Sequence, residues 1–220
     1  MGGDHTALMD KVYRRQRHIY DFTRKYYLLG RDRLVRELGA KQGERVVEIG
    51  CGTARNLIRI ARRYPGVQLY GLDASREMLQ TADDSVHRSG LESRIALAHG
   101  VAEELTPASF GLGGPFDHAI FSYSLSMIPD WRAALRAAAA AVKPEGLIHI
   151  VDFDDFGGLW PPARRALRAW LKLFHVAPRE ELIAGIEKAL GTSGLCHMKG
   201  RYAFLLRAAP RQILLIANLT

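Results

Sequence analysis

The stretch Val46-Val47-Glu48-Ile49-Gly50-Cys51-Gly52-Thr53-Ala54 constrains this chain more than any other. A short apolar run, Arg45–Gly50, ends on two glycines one residue apart, and a helix-forming segment follows at once. Such a run, bounded by glycine, suits a parallel strand buried on both faces. Glycine permits positive φ and lets a ligand approach the backbone closely, so the turn forms a cradle at a helix N-terminus. In dinucleotide enzymes this turn reads G-x-G-x-x-G and meets a pyrophosphate. Here Arg55 stands where the third glycine would be, and Glu48 lies in the strand just before the turn. An acid there repels a pyrophosphate and tolerates a cofactor carrying a positive sulfonium and an amino group. Asp73, at the end of the next strand in Leu72-Asp73-Ala74-Ser75, is placed to accept from ribose hydroxyls.

Around this turn the pattern alternates. Ala54–Tyr64 reads as a helix, Val67–Leu72 as a strand, and Ser75 caps a helix reaching about Arg88. Arg94–Ala98 and Asp117–Tyr123 read as further strands, Asp130–Val142 as an alanine-rich helix and Leu147–Phe153 as a fifth strand. Alternating strands and helices imply an α/β fold, a mostly parallel sheet with helices on both faces. Leu8–Arg36 reads as one helical stretch. After Phe153, Pro161–His175 and Arg179–Leu190 read as an inserted helical pair, and Tyr202–Arg207 with Gln212–Ala217 as a terminal hairpin. The expected organisation is one domain: an N-terminal helical cap (1–40), a cofactor-binding core (41–153), a helical substrate insert (154–190) and a terminal hairpin (191–220).

The 220 residues suffice for one domain with a sizeable core. No apolar run approaches the roughly 20 residues that span a bilayer, and the N-terminus does not read as a secretory signal. Two cysteines, Cys51 and Cys196, suggest neither a zinc site nor a disulfide framework. A cytoplasmic protein without bound metal is expected, with no stated oligomeric state. The net charge of +8 favours an anionic partner, whether nucleic acid, acidic substrate or membrane surface. No RNA-recognition signature accompanies it, so nucleic acid is not the expected partner.

Together, E-I-G-C-G-T and G-L-D-A-S resemble motifs I and II of class I S-adenosylmethionine-dependent methyltransferases. The resemblance implies a Rossmann-like, seven-stranded sheet with its last strand antiparallel. It also implies S-adenosyl-L-methionine as cofactor, with S-adenosyl-L-homocysteine as product. On that basis Gly50 and Gly52 face the methionine part, Asp73 the ribose and Met78 the adenine. Val101 and Ala102 follow the third strand, where the family reads the adenine edge; Val101 replaces a common acid, and Glu103 is a substitute. Ser122 and Tyr123 border cofactor and substrate. Tyr27, Arg31, Glu48, Cys51, Asn56 and Ala74 complete the expected cofactor set.

The segment R-H-I-Y-D-F-T-R-K-Y-Y-L-L-G-R-D, Arg17 to Asp32, is similar to the methyltransferases of betaine-lipid synthesis, which trimethylate the amine of diacylglyceryl-homoserine. Phe174-His175-Val176-Ala177-Pro178-Arg179 is close to a second motif of that family, and Val151-Asp152-Phe153 also fits. Tyr13, Tyr20 and Tyr27 are spaced by seven and share a helix face that can pack on the domain or hold a quaternary ammonium. The expected catalytic set is Tyr20, Tyr123 and Asp152, and the expected substrate set Tyr13, His18, Arg24, Trp131 and Arg179. In the insert, Arg164, Arg165, Arg168 and Lys172 fall on one side of a helix and Ala166, Leu167, Trp170, Leu171 and Phe174 on the other. That pattern fits either a surface helix or peripheral contact with an anionic membrane. A methyltransferase of another small or quinone-like molecule is the alternative reading; an RNA-modifying enzyme or a cofactor-binding protein without turnover are weaker ones.

Overall fold

The computed structural model describes residues 28–173, 176–191 and 195–219. Seven strands form one sheet: β1 (Arg45–Ile49), β2 (Gln68–Asp73), β3 (Ile95–His99), β4 (Phe116–Ser122), β5 (Val142–Phe153), β6 (Leu195–His197) and β7 (Ala203–Ala208). Their spatial order is β3-β2-β1-β4-β5-β7-β6, with β7 antiparallel to both neighbours and the other pairs parallel. The described helices are α1 (Arg31–Glu37), α2 (Arg55–Arg63), α3 (Arg76–Arg88), α4 (Trp131–Ala141), α5 (Pro161–Lys172), α6 (Glu180–Leu190) and α7 (Pro210–Ala217). This is the mostly parallel α/β sheet that the alternation implied, in the Rossmann-like, seven-stranded form that the resemblance implied.

The two faces of the sheet bury separate clusters. Val47 and Ile49 of β1 point to a cluster that includes α4, α6 and α7. Val46 points the other way, with Leu34 of α1, Leu57 and Ile60 of α2, Val86 of α3 and Leu171 of α5. Strand side chains alternate, so Glu48 shares Val46's face and lies beneath α2. That parity, set by one residue of register, puts the acid where a ligand at the glycine turn can meet it.

Two expected elements differ. The helix read as Leu8–Arg36 begins, in its described part, at Arg31. Gly30 at its N-cap has φ 86°, and a Cβ there would stand 2.8 Å from Met198 Sδ and 3.0 Å from Val151 Cγ2. The chain turns at this crowded point, so no continuous helix runs through it. The expected terminal hairpin is also shifted. Its antiparallel pair is β6 with β7, and the chain from Pro210 to Ala217 is helical. Pro210 has no N–H to lose at the first helical position, and Gln212 Oε1 accepts from the Ala209 N–H at 2.9 Å. Ile213, Ile216 and Ala217 then bury one face at helical spacing, although the short apolar run they belong to also suits a strand.

Away from the glycine turn, His118 Nδ1 lies 3.1 Å from His149 Nε2, and His118 Nε2 lies 3.1 Å from Glu44 Oε2. Burial, reinforced by the neighbouring His118 and Arg207, pushes His149 down to about 3. An unfolded histidine titrates near 6.5, so below that pH the unfolded chain takes a proton that the folded chain refuses. Stability is therefore full above about 6.5 and falls as pH drops towards about 3, by up to about 1.4 kcal/mol per unit. Urea unfolding at about pH 7 and about pH 5 should show a lower midpoint at the acid pH. In His149→Gln, which keeps a partner for His118, the difference should shrink.

Candidate functional site

The loop Gly50–Ala54 leaves β1 with three left-handed residues, Gly50 (φ 74°), Gly52 (φ 54°) and Ala54 (φ 60°). Gly50 and Cys51 both donate to the Leu72 carbonyl, at 2.8 and 3.0 Å. A Cβ on Gly50 would lie 2.6 Å from Ser124 Cβ, so only glycine lets the loop after β4 close over this turn. Asp73 fastens the turn from β2. Its Oδ2 accepts from the Gly52 N–H at 2.7 Å and its Oδ1 from the Ser75 N–H at 2.9 Å. Ser75 Oγ in turn accepts from the Met78 N–H, capping α3 as its sequence suggested. Each Asp73 oxygen keeps lone-pair capacity for a ligand hydroxyl.

Beneath the turn, Glu48 is buried. One carboxylate oxygen accepts from Asn56 Nδ2 at 2.7 Å, and the same Nδ2 donates to Ser122 Oγ at 3.1 Å. The other oxygen, Oε2, is buried with no hydrogen-bond partner among the described residues. Burial raises the Glu48 carboxyl to about 7, against the pull of Asn56 and of the nearby Arg31. An orphaned buried acid at a glycine cradle fits a ligand that brings a positive charge and N–H donors, as a sulfonium amino acid does.

Beside the turn runs a cleft lined by Gly50, Gly52, Leu72, Asp73, Ala74, Met78, Val101, Ala102, Glu103 and Tyr123. The structure thus brings together most of the expected cofactor set. Val101, expected as a departure at the adenine end, does line the cleft, with Glu103 beside it. Glu48, Cys51, Asn56, Ser122 and Arg31 line a larger cavity of about 1240 Å³ on the other side of the turn. Ser124, Met127, Ile128 and Pro129, absent from the expected set, form the cleft's opposite wall. Their signal in the sequence is weak, because a loop after a strand has no periodicity to read.

That wall is held by two expected functional residues acting on backbone. Asp152 Oδ2 accepts from the Ser126 N–H at 3.0 Å and its Oδ1 from the Phe153 N–H at 2.8 Å; burial raises its carboxyl to about 6. Arg179 donates to the Leu125 carbonyl at 3.3 Å and to the Ile128 carbonyl at 2.7 Å. Tyr123, also at positive φ (58°), donates its hydroxyl to the Leu29 carbonyl at 2.6 Å, and burial pushes its pKa well up. The expected catalytic pair Tyr123 and Asp152, and the expected substrate residue Arg179, therefore occupy backbone-holding positions. Trp131, expected at the substrate, packs in the core at the start of α4 with Arg132 over its ring. Tyr13, His18, Tyr20, Arg24 and Tyr27 lie outside the described residues, as does Phe174 with His175.

The expected basic side of the insert helix divides in two. Arg164 and Arg168 turn inward, and Arg168 donates to the Asp155 carbonyl at 2.9 Å and pairs with Glu180. Arg165 and Lys172 stay exposed. Among the described residues no cluster of side chains suits a metal ion, and no helix is long and apolar enough to cross a membrane.

Residues 13–183 match the family described as a methyltransferase domain. The chain is similar to the demethylmenaquinone methyltransferase of Geobacillus kaustophilus, 29% identical over 136 residues that cover 61% of this chain and 55% of that one. The chain thus spans about half the length of the curated relatives it matches. Among solved structures, it resembles the S-adenosylmethionine-dependent methyltransferase SibL with a TM-score of 0.63 at 20% identity, covering 87% of this chain and 57% of that one. It also resembles a phosphoethanolamine N-methyltransferase of Haemonchus contortus in complex with phosphomonomethylethanolamine and S-adenosylhomocysteine, with a TM-score of 0.57 at 22% identity, covering 75% and 36% of the two chains. The glycine turn, Asp73 and the buried acid Glu48 fit the S-adenosylmethionine for which the first of these neighbours is named.

Two outcomes follow for that cofactor. Asp73→Ala removes a charged acceptor and loosens the turn, and should weaken binding by roughly 10- to 150-fold in calorimetry. Glu48 must be ionised to meet a cationic ligand, so affinity should fall as pH drops below about 7. The fall should approach about tenfold per unit, and Glu48→Gln should flatten it.

Proposed function

Because the chain belongs to the methyltransferase domain family, we propose that it moves methyl groups from S-adenosyl-L-methionine to the amine of diacylglyceryl-homoserine, giving the trimethylated betaine lipid. When bound, the cofactor supplies an electrophilic methyl that an amine lone pair attacks in line. The chain's own residues hold and align. Glu48 answers the cationic end, Asp73 the ribose, and the Ser124–Pro129 wall, fixed by Asp152 and Arg179, closes the adenosine side. Holding donor and acceptor in register accounts for much of such a rate enhancement. The acceptor ammonium loses its proton before each transfer, and water can take it.

The observation that carries the amino-acid headgroup is the cavity beside the glycine turn. Arg31 and Arg36 of α1 and Arg55, Arg59 and Arg62 of α2 line it together with Glu48 and Ser122. Arg55, Arg59 and Arg62 are spaced by four and three and so share the outer face of α2, and among the described residues Asp32 is the acid that answers Arg55 at 3.5 Å and Arg59 at 3.0 Å. A headgroup carboxylate suits these positive walls. The run Arg17–Asp32, similar to the betaine-lipid family, ends at Arg31 and Asp32 on this cavity.

A second reading has support of its own. The curated relatives are named demethylmenaquinone methyltransferases, so a quinone ring carbon is the competing acceptor. Mass spectrometry of lipids from a host supplied with diacylglyceryl-homoserine separates the two. Mono-, di- and trimethylated lipid should appear only with the chain present. No methylated lipid, together with turnover of demethylmenaquinone by the purified chain, would replace the first reading by the second. On the first reading, Arg55→Gln with Arg59→Gln should raise KM for the carboxylate-bearing lipid about tenfold or more and leave cofactor affinity nearly unchanged.

A further inference from the structure

Helix α5 is bound to the protein by a narrow strip. Leu171 alone is buried, and Leu167, Trp170, Arg164 and Arg168 are half-buried beside it. On a helical wheel these residues lie within a little under half of the circumference. The opposite side carries Pro162, Ala166, Ala169 and Leu173, spaced by four, three and four, and every one is exposed. Trp160 at the N-cap is 73% exposed. Leu173 at the C-cap is 70% exposed, so a bulky apolar side chain stands free at each end. Arg165 and Lys172, seven apart, run along one margin of the stripe. α5 itself contains no acidic residue.

This arrangement differs from an ordinary surface helix, whose apolar side is spent on the core and whose outer side is polar. Here the inward side takes two half-buried arginines, of which Arg168 is bound to Asp155 and Glu180, and the outward side is small, apolar and cationic at its edge. A partner for it must accept shallow apolar insertion along about 18 Å of helix and must be negatively charged beside it. We propose that the outer face of α5 docks on an anionic bilayer surface, with Trp160 and Leu173 in the interface and Arg165 and Lys172 over the headgroups. Trp is favoured at that depth, and surface cations are drawn to anionic lipid. The inference rests on the lipid-acceptor reading for its purpose, since docking brings the protein to where such a substrate resides.

The test uses the full chain and vesicles of phosphatidylcholine with or without phosphatidylglycerol, read by co-sedimentation and tryptophan emission. The native protein should sediment with the anionic vesicles, with a blue shift from Trp160, and far less with neutral ones. Trp160→Ser with Leu173→Ser should weaken partitioning about tenfold or more, because two exposed apolar groups are lost. Arg165→Gln with Lys172→Gln should weaken it about 30-fold and reduce its salt sensitivity. Leu214→Ser with Leu215→Ser removes exposed apolar groups from α7 and should change nothing. Equal sedimentation of native protein and both α5 variants overturns the proposal, as does loss of binding only in the α7 variant. Self-association abolished by the Trp160 and Leu173 changes, without vesicle binding by native protein, overturns it in favour of a second copy as the occupant. Turnover of detergent-dispersed acceptor is scored separately: its absence with intact vesicle binding counts against the acceptor and leaves the docking face standing.

Discussion

The carboxylate of Asp73 is the joint on which the site depends. One oxygen holds the N–H of Gly52 and the other the N–H of Ser75, so a single side chain ties the loop after β1 to the start of α3. These are charge-assisted bonds to backbone, stronger than neutral ones, and they satisfy donors that helix and turn leave unpaired. Gly50 can then take its left-handed conformation beneath Ser124, and the cleft acquires a floor and one wall. A ribose that binds here meets an acceptor already fixed in place. The ordering cost falls on folding and not on binding.

The facing wall obeys a similar logic with other residues. Ser124–Pro129 belongs to no helix or strand; the Ser124 carbonyl accepts from the Met127 and Ile128 N–H groups within a turn, and other backbone groups of the segment find partners elsewhere. Asp152 supplies an acceptor to one N–H, and Arg179 supplies donors to two carbonyls. Arg179 stands just before α6, in the segment that returns from the insert. The insert is thus coupled to the cofactor cleft through a guanidinium, and a shift of α6 would be felt at Ile128.

The core of the fold was legible because buried parallel strands leave a compositional mark. Val46–Ile49, Leu69–Leu72 and Ala119–Phe121 are apolar runs of strand length, and glycine or aspartate stops the first two. Glu48 and Asp73 were legible as site residues because an acid at the end of such a run has no packing reason to be there. The terminal segment misled for a physical reason. Gln212–Ala217 carries Ile213 and Ile216 with Leu214 and Leu215 between them, and so short an apolar run has no distinctive period. Pro210 and Gln212 were the better signal, being helix-start chemistry. The wall of the cleft was illegible because its form depends on Asp152 and Arg179, which are far from it in sequence. Tyr123 and Asp152 looked catalytic for a related reason: position at strand ends is visible in sequence, but the direction of a hydroxyl or carboxylate is not.

Glu48 joins stability to binding. A carboxylate buried with one oxygen unpartnered is costly, and its proton affinity rises until about half the molecules are neutral near pH 7. Arg31 lies close enough to oppose that rise yet does not cancel it. The acid is therefore poised between holding a proton and receiving a cation. A ligand without positive charge gains little from this place, and a pyrophosphate is repelled. A positively charged ligand relieves a strain that the fold already carries. Of the arginines on the outer face of α2, Arg59 and Arg62 are exposed and screened, and the half-buried Arg55 joins Arg31 in opposing the rise without cancelling it. Selection for a cationic donor thus follows from where a single acid is buried, beneath a turn that glycine keeps open.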